Sequence, residues 1–214
     1  MFVGRRMKRD LVTVPKEATL EEAGRLLKAH RIHHLPVVEG DRLVGIVTDT
    51  DLRNATLGWA IGGSDAGDSG RPQTVGEIMT RDVVTLAPGD TIDDAMLVLS
   101  RERFGALPVM DGGRLVGIMT KADILAALLE TLDIEGVGVR LEVILPRDMG
   151  EVTRLASVLQ ELPVDVRSLV LAPHGPGRYA AFVRVATIDV PGVRSLLRGK
   201  GFAVAELSDF YEPG

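Results

Sequence analysis

The chain repeats itself, and this duplication restricts the folds open to it more than any other feature. Residues 7–52 align without a gap on residues 79–124, at an offset of 72 residues, and 20 of the 46 aligned positions are identical. Such self-similarity at a fixed offset is typical of a duplicated structural unit. A unit of about 50 residues buries too little surface to be stable alone, so we expect the two copies to pack against each other.

Each copy has the pattern of a short strand, a helix, a hairpin and a second helix. In the first copy the predicted strands are at residues 12–14, 35–38 and 43–47, and the predicted helices are at 20–30 and after Thr48. Thr19 stands before two glutamates, which predicts a capped helix with an acidic first turn. The glycine-containing turn between the last two strands predicts an antiparallel connection.

A threonine followed three residues later by an aspartate ends the hairpin of each copy. The two pairs are Thr48 with Asp51 and Thr120 with Asp123. A hydroxyl and free amides at a helix start suit a phosphate, and a carboxylate can accept two hydrogen bonds from the vicinal hydroxyls of a ribose. The same spacing is also that of a capping box, in which threonine and aspartate serve only the helix. The residues alone leave both interpretations open.

The duplicated motifs resemble those of CBS (cystathionine beta-synthase) domains. The matching stretches in the first copy are residues 7–13, 32–37 and 45–51, and each has its counterpart in the second copy. The resemblance implies a tandem CBS pair that binds an adenosyl compound as a regulatory ligand: AMP, ADP, ATP or S-adenosylmethionine. It also implies that each ligand cleft takes residues from both copies.

In the cleft that the resemblance assigns to the second copy, Thr120 and Asp123 face His33 and His34 of the first copy. The two histidines could donate hydrogen bonds to phosphate oxygens. The alternative is that one histidine packs against its neighbours and the other is solvated. Lys121 is a further candidate phosphate contact, although a solvated helix lysine is the simpler interpretation.

The other cleft implied by the resemblance brings Thr48 and Asp51 opposite Gly105 and Ala106. These two small residues leave room for a base but supply no charge. We therefore expect the two nucleotide sites to differ in affinity.

A glycine-rich stretch separates the copies, and a third region follows them. The predicted division is CBS repeat 1 at residues 1–56, a linker at 57–73, CBS repeat 2 at 74–133 and a C-terminal domain at 137–214. The glycine-rich stretch lacks the lysine and hydroxyl ending of a phosphate-binding P-loop, which favours a flexible linker.

Residues 137–214 have the element order β-α-β-β-α-β, which predicts a ferredoxin-like sheet with helices on one face. The loop and helix start at residues 145–152 resemble those of an ACT domain, a regulatory fold that commonly pairs between subunits. In that resemblance Asp148, Met149 and Gly150 would form an amino-acid site at the helix start. The alternatives are a plain turn glycine and a purely dimerising domain. A CBS pair followed by an ACT-like domain resembles the acetoin-utilisation protein B group of bacteria.

Composition excludes several functional classes. The chain has no cysteine, which excludes disulfides and thiol chemistry, and a net charge of −5 argues against a nucleic-acid binder. No apolar stretch approaches the about 18 residues that span a membrane, and we expect no signal peptide and a cytoplasmic location. Asp49 and Asp51 could hold magnesium, but Lys121 replaces Asp49 in the second copy, so no metal site is expected.

The sequence therefore predicts an α/β (α+β) protein: two tandem CBS-type β-α-β-β-α units, followed by a ferredoxin-like ACT-type domain. We expect no catalytic residue and no enzymatic activity. The predicted function is an adenine-nucleotide sensor that forms a homodimer and transmits its state to an unidentified regulated protein. The alternative is a scaffold whose clefts bind no nucleotide and which holds a partner enzyme.

Overall fold

The computed structural model describes residues 1–61 and 72–206 of the chain. The chain divides into two compact units, Met1–Ala127 and Leu128–Gly214. The first unit contains repeat 1 and repeat 2 as far as Ala127, and the second begins with the end of the last helix of repeat 2 and contains the C-terminal region.

The two repeats have corresponding elements. Repeat 1 comprises a short 3-10 helix (Val3–Arg5), β1 (Val14–Pro15), α1 (Leu20–His30), β2 (His34–Glu39), β3 (Arg42–Thr48) and α2 (Asp49–Ile61). Repeat 2 comprises α3 (Val75–Ile78), α4 (Ile92–Arg101), β4 (Ala106–Asp111), β5 (Arg114–Thr120) and α5 (Lys121–Thr131). The predicted hairpins and helices are confirmed in both copies.

The hairpins of the two repeats have the same register, down to one irregularity. The antiparallel pairs β2–β3 and β4–β5 both shift register at equivalent positions, between Val37 and Val38 and between Val109 and Met110. The first strand is shorter than predicted. In repeat 1 it pairs with β2 over two residues, and in repeat 2 it is reduced to one bridge between Leu86 and Val109.

Helix α2 continues further than the sequence indicated. It ends at Ile61, so the predicted linker at residues 57–73 begins inside this helix. Gly58 is the only poor helix former among residues 57–61, and a single glycine costs a helix about 1 kcal/mol, which the neighbouring residues can offset. The remaining glycine-rich residues 62–71 lie outside the described residues.

The two repeats are joined by reciprocal main-chain pairing. The hydrogen bonds that the segment before the first strand of each repeat makes to the other repeat occur in pairs displaced by the offset of 72 residues. The matched pairs are Val3 N to Asp90 O with Val75 N to Ala18 O, Gly4 N to Pro88 O with Gly76 N to Lys16 O, and Lys8 with Ile118 alongside Thr80 with Ile46. Such reciprocity is the mark of two-fold packing between like surfaces.

Two methionines lock this packing. A side chain at Gly117 of β5 would approach Cγ of Met7 to 2.8 Å and the carbonyl oxygen of Lys8 to 3.1 Å. Gly45 of β3 stands in the same relation to Met79. Both methionines are almost fully buried. The segment before the first strand of each repeat, which contains Met7 or Met79, therefore lies directly on the backbone of the other repeat's hairpin.

The C-terminal unit has the predicted element order. Its elements are β6 (Val139–Pro146), α6 (Met149–Glu161), β7 (Asp165–Pro173), β8 (Arg178–Ala186), α7 (Val190–Gly199) and β9 (Ala203–Val204). The strands form one sheet in the order β7-β8-β6-β9, the ferredoxin-like order. Alternate residues of β6 and β8 share one buried cluster with apolar residues of both helices, so α6 and α7 cover the same face.

Candidate functional site

The Thr-x-x-Asp pairs form complete capping boxes in both repeats. Oδ2 of Asp51 accepts hydrogen bonds from the amide and hydroxyl of Thr48 at 2.8 and 2.7 Å, and the amide of Asp51 donates to Thr48 Oγ1. Oδ2 of Asp123 accepts the same two bonds from Thr120 at 2.9 and 2.5 Å. One oxygen of each carboxylate is therefore committed to starting a helix.

The same box begins helices that have no predicted ligand. Thr91 and Asp94 form it at α4 with bonds of 3.2, 2.6 and 3.1 Å, and α1 and α3 start with threonine and glutamate in the same arrangement. The box alone therefore does not mark a binding site. Whether a box belongs to a binding site depends on the residues around it.

A cavity of about 310 Å³ lies beside Thr120, between the two repeats. It lies at the lower end of the volume range of small-molecule sites. Its lining comes from the segment before β1 and the β2 region of repeat 1, and from β5, α5 and the residue before β4 of repeat 2: Lys8, Asp10, Leu11, Val12, Arg31, Ile32, His33, His34, Pro36, Gly105, Ile118, Thr120, Lys121 and Ala122. Repeat 1 reaches this place because the backbone of Lys8 pairs with Ile118.

Cations outnumber carboxylates around this cavity. Lys8, Arg31 and Lys121 line it, against Asp10 on the lining and Asp123 next to it. The ammonium of Lys8 lies 3.2 Å from Oδ1 of Asp123, the oxygen that the capping box leaves free. The Asp123 side chain is only 12% exposed, so this carboxylate is held between its helix and Lys8.

Arg31 occupies a strained backbone position at the end of α1. Its φ is 52°, in the left-handed region that glycine usually fills after a helix, and Arg103 has a φ of 57° at the equivalent place in repeat 2. A non-glycine residue in this region costs about 1 kcal/mol. Of the two arginines, Arg31 lines the Thr120 cavity.

His33 and His34 both line the Thr120 cavity, and each also has a partner in repeat 1. Nδ1 of His33 lies 3.3 Å from Oδ2 of Asp49, and the His33 side chain is 74% exposed. His34 is the strand partner of Thr48 and is partly buried. The histidine pair therefore lies between the two Thr-x-x-Asp boxes.

Burial lowers the pKa of the His34 imidazole, and the neighbouring His33 lowers it further. The charge of Lys121 acts in the same direction, while Asp49 and Asp51 oppose it without reversing it. Partial desolvation raises the pKa of Asp49, but the hydrogen bond to His33 and the charge of Arg53 outweigh it, so that pKa lies below its ordinary value. At neutral pH His34 is a neutral hydrogen-bonding group rather than a cation.

Because the folded chain favours neutral His34, its stability should fall as the pH drops below the ordinary histidine value of about 6.5. In that window the unfolded chain binds a proton that the folded chain resists. Replacing His34 by glutamine should reduce the loss of unfolding free energy between pH 7.5 and pH 5.5. Urea denaturation of both forms at the two pH values measures this. An unchanged loss in His34→Gln would contradict it.

The sequence predicts Gly105 and Ala106 opposite Thr48 and Asp51, and their place in that cleft stays a prediction. Gly105 also lines the Thr120 cavity, where its carbonyl accepts the amide of Lys121 at 3.2 Å. Ala106 is the strand partner of Thr120 and is buried. The missing side chain of Gly105 is what admits the ring of His34, since a Cβ there would clash with it.

The surroundings of the Thr48 box differ in charge from those of the Thr120 box. Thr80 takes the place of Lys8, and Asp49 takes the place of Lys121. Asp49 is paired with His33 and, at 3.3 Å, with Arg53. At equivalent backbone positions, Asp123 therefore has Lys8 and Lys121 as neighbours, whereas Asp51 has Thr80 and Asp49.

Sequence reasoning missed Lys8, Asp10 and Arg31 as site residues. Lys8 and Asp10 lie inside the duplicated motif at residues 7–13, but nothing in that motif shows that the segment crosses to the other repeat. A comparison of the two copies position by position would have pointed to Lys8, since its replacement by Thr80 is the one change of charge in the stretch 7–13, where Leu11 and Val83 are the other difference.

In the C-terminal unit, the Asp148 side chain already binds the backbone amide that the predicted amino-acid site would use. Oδ1 of Asp148 accepts the amide of Gly150 at 2.9 Å and so caps α6, while Met149 is 64% exposed. A ligand carboxylate at this amide would have to replace Asp148. The amino-acid site stays a prediction.

Within residues 1–61 and 72–206, no three His, Asp or Glu side chains gather closely enough to hold a metal ion. In that same part of the chain, no helix is both long and apolar enough to cross a membrane.

Comparison with known proteins identifies the duplicated unit. A family model for the CBS domain matches residues 3–58 and 75–130. Inosine-5'-monophosphate dehydrogenase of Korarchaeum cryptofilum is 35% identical over 165 residues, and a CBS domain-containing protein of Dictyostelium discoideum is 35% identical over 137 residues. The aligned part is 74% of this chain but 31% of the dehydrogenase, and it is 62% of this chain and 94% of the Dictyostelium protein. The match to a second inosine-5'-monophosphate dehydrogenase, from Thermoplasma acidophilum, spans 21% of that protein.

Solved structures of the same fold include complexes with adenosyl compounds. The CBS domain pair of protein MJ0100, in complex with 5'-methylthioadenosine and S-adenosyl-L-methionine, superposes with a TM-score of 0.52 at 29% identity, over 60% of this chain and 95% of that one. CBSX2 in complex with AMP gives 0.53 at 29% identity, over 60% and 96%. A putative acetoin utilization protein (AcuB) from Vibrio cholerae gives 0.54 at 27% identity, over 63% and 95%.

Proposed function

Since the chain belongs to the CBS domain family, we propose that its tandem pair is a regulatory module that binds an adenosyl compound in the Thr120 cavity. The observation that carries the proposal is the cavity itself. It takes its lining from both repeats, includes Thr120 with Asp123 next to it, and has the cations Lys8, Arg31 and Lys121 on its lining. Named complexes of similar CBS pairs with AMP, S-adenosyl-L-methionine and 5'-methylthioadenosine support the ligand class.

The lining suits the three parts of a nucleotide. The apolar side chains of Leu11, Val12, Ile32, Pro36 and Ile118 can enclose the base. Asp123 can accept the ribose hydroxyls. Lys8, Arg31, Lys121, His33 and His34 can donate to a phosphate. AMP, ADP, ATP and S-adenosylmethionine are the candidate ligands.

Thr48 and Asp51 form the second, weaker nucleotide site of this proposal. The capping box there is the same, but the ammonium groups of Lys8 and Lys121 have no counterpart. A ligand at this site would meet Asp49 instead. We expect its affinity for a phosphate-bearing ligand to be lower.

The C-terminal unit completes the regulatory assembly in this proposal. Its ferredoxin-like order fits an ACT-like domain that pairs two chains into a homodimer, with an amino-acid site at Asp148, Met149 and Gly150 as an additional prediction. Ligand binding would reach an unidentified regulated protein only if it favours one arrangement of the dimer over another. The chain itself would perform no catalysis.

A scaffold that binds no nucleotide is the second candidate. The observation in its favour is that both Thr-x-x-Asp pairs are complete capping boxes, like the box of Thr91 and Asp94. In that case the repeats would serve only to hold a partner protein. A scaffold should tolerate Asp51→Ala and Asp123→Ala without losing its ability to hold the partner protein.

A ligand screen separates the two candidates. The purified chain is melted in the presence of AMP, ADP, ATP, S-adenosylmethionine, NAD and the amino acids, and positive compounds are titrated calorimetrically. A ligand at 100 times its Kd should stabilise the fold by about 2.7 kcal/mol. Stabilisation by an adenosyl compound supports the sensor. No stabilisation by any nucleotide would leave the scaffold as the better account.

A further inference from the structure

The ion pair between Lys8 and Asp123 leaves this carboxylate with little capacity for a ribose. Oδ2 of Asp123 already accepts two hydrogen bonds from Thr120, at 2.9 and 2.5 Å. Oδ1 lies 3.2 Å from the Lys8 ammonium. A carboxylate has about four acceptor positions, so a ribose that donates two hydrogen bonds must take the place of Lys8 at Oδ1.

The backbone of Lys8 stays in place when the side chain releases Asp123. Its amide and carbonyl are both bonded to Ile118, at 2.9 and 3.0 Å, so its backbone is fixed on β5 at the edge of the cavity. The flexible four-carbon side chain is 59% exposed, so the ammonium can turn either to solvent or to a ligand in the cavity. A displaced ammonium gains most from a new anionic partner, and a phosphate on the same ligand supplies one.

The charge of the surroundings favours the same ligand. The cavity lining has three cations, Lys8, Arg31 and Lys121, and one carboxylate, Asp10, so the lining itself carries an excess of positive charge. Asp123 and Asp49 lie next to it, each in contact with a lining side chain. A phosphate-bearing nucleotide offsets this excess of positive charge. The neutral thioether 5'-methylthioadenosine leaves it unchanged, and the sulfonium of S-adenosylmethionine adds to it.

We infer that Lys8 is the residue that makes the Thr120 cavity select phosphate-bearing adenosyl ligands, by exchanging Asp123 for the ligand phosphate. The inference rests on the proposed function of this cavity. It assigns to Lys8 a role in specificity rather than in folding. The equivalent Thr80 keeps the same two backbone bonds, to Ile46 at 2.9 Å each, without an ammonium.

The test compares AMP with 5'-methylthioadenosine, which share the base and ribose but differ in the phosphate. Both are titrated calorimetrically into the full chain carrying Asp51→Ala, so that the Thr120 cavity dominates the signal. The variants are Lys8→Thr, which copies the residue that repeat 2 uses on the same backbone, and Lys8→Arg. Lys16→Thr is the matched control, because Lys16 pairs with Glu39 and lines no part of this cavity.

We expect AMP to bind more tightly than 5'-methylthioadenosine and the ratio of their affinities to fall about 10-fold in Lys8→Thr, the effect of one charge-assisted hydrogen bond. Lys8→Arg should retain the ratio, and Lys16→Thr should leave it unchanged. Equal loss for both ligands, or an unchanged ratio in Lys8→Thr, would overturn the role of Lys8 while leaving the proposed function intact. Binding of neither ligand by the chain with Lys8 in place would overturn both.

Discussion

Replacing Asp123 by alanine is expected to lower the affinity for AMP about 100-fold, which corresponds to about 2.7 kcal/mol. The expected loss is large because the carboxylate would accept two hydrogen bonds from the ribose in a position that is only 12% exposed. The substitution also removes a helix cap, at a cost of about 1 kcal/mol in stability. Isothermal titration calorimetry and thermal melting of the same preparation separate the two effects.

Asp94→Ala is the matched control for this substitution. Asp94 makes the same capping box with Thr91, with bonds of 3.2, 2.6 and 3.1 Å, but it lines no part of the Thr120 cavity. It should therefore cost the same stability and leave AMP affinity unchanged. If Asp94→Ala and Asp123→Ala weaken AMP binding to the same extent, the effect comes from helix capping and Asp123 is not a ribose ligand.

Gly117→Val is expected to destabilise the first unit by about 3 kcal/mol. Valine is a better strand former than glycine, so β propensity alone would favour the change. The new side chain would, however, collide with buried Met7 and with the backbone of Lys8. Urea denaturation, followed by a signal from the first unit, measures the loss.

Two further variants identify the cause of this destabilisation. Gly45→Val, which meets Met79 in the same way, should cost a similar amount if the repeats pack reciprocally. Gly89→Val should change the unfolding free energy by less than about 0.5 kcal/mol, because Gly89 is exposed and nothing lies within contact of its Cβ position. If the collision with Met7 causes the loss, the double variant Met7→Ala/Gly117→Val should recover part of the unfolding free energy that Gly117→Val loses. A small effect of Gly117→Val, or no recovery in the double variant, would contradict the methionine contact.

The sequence predicted the architecture well because each element has a local cause. The apolar runs at residues 35–38 and 43–47, with a glycine-containing turn between them, indicate the β2–β3 hairpin, and Thr19 specifies the start of α1. The duplication itself predicted the packing of two like units, and the family match confirms the tandem CBS pair. The end of α2 was placed too early, because glycines dominated the interpretation of residues 57–61 although a single one interrupts them.

The candidate site was less accessible from the sequence, because its charges come together only through the crossing of the repeats. Thr120, His33, His34 and Lys121 do line one cavity. Lys8 reaches it through bonds to a strand 110 residues away, which no local pattern encodes. The sequence also could not show that the small size of Gly105 admits the ring of His34 from across the interface between the repeats.

The measurement that tests the central claim most directly is a crystal structure of the chain grown with AMP. The account predicts AMP in the cavity between the repeats, with its ribose on Asp123, its phosphate near Lys8 and Lys121, and the Lys8–Asp123 contact broken. AMP bound only beside Thr48 and Asp51, or no AMP at a concentration well above the calorimetric Kd, would contradict it.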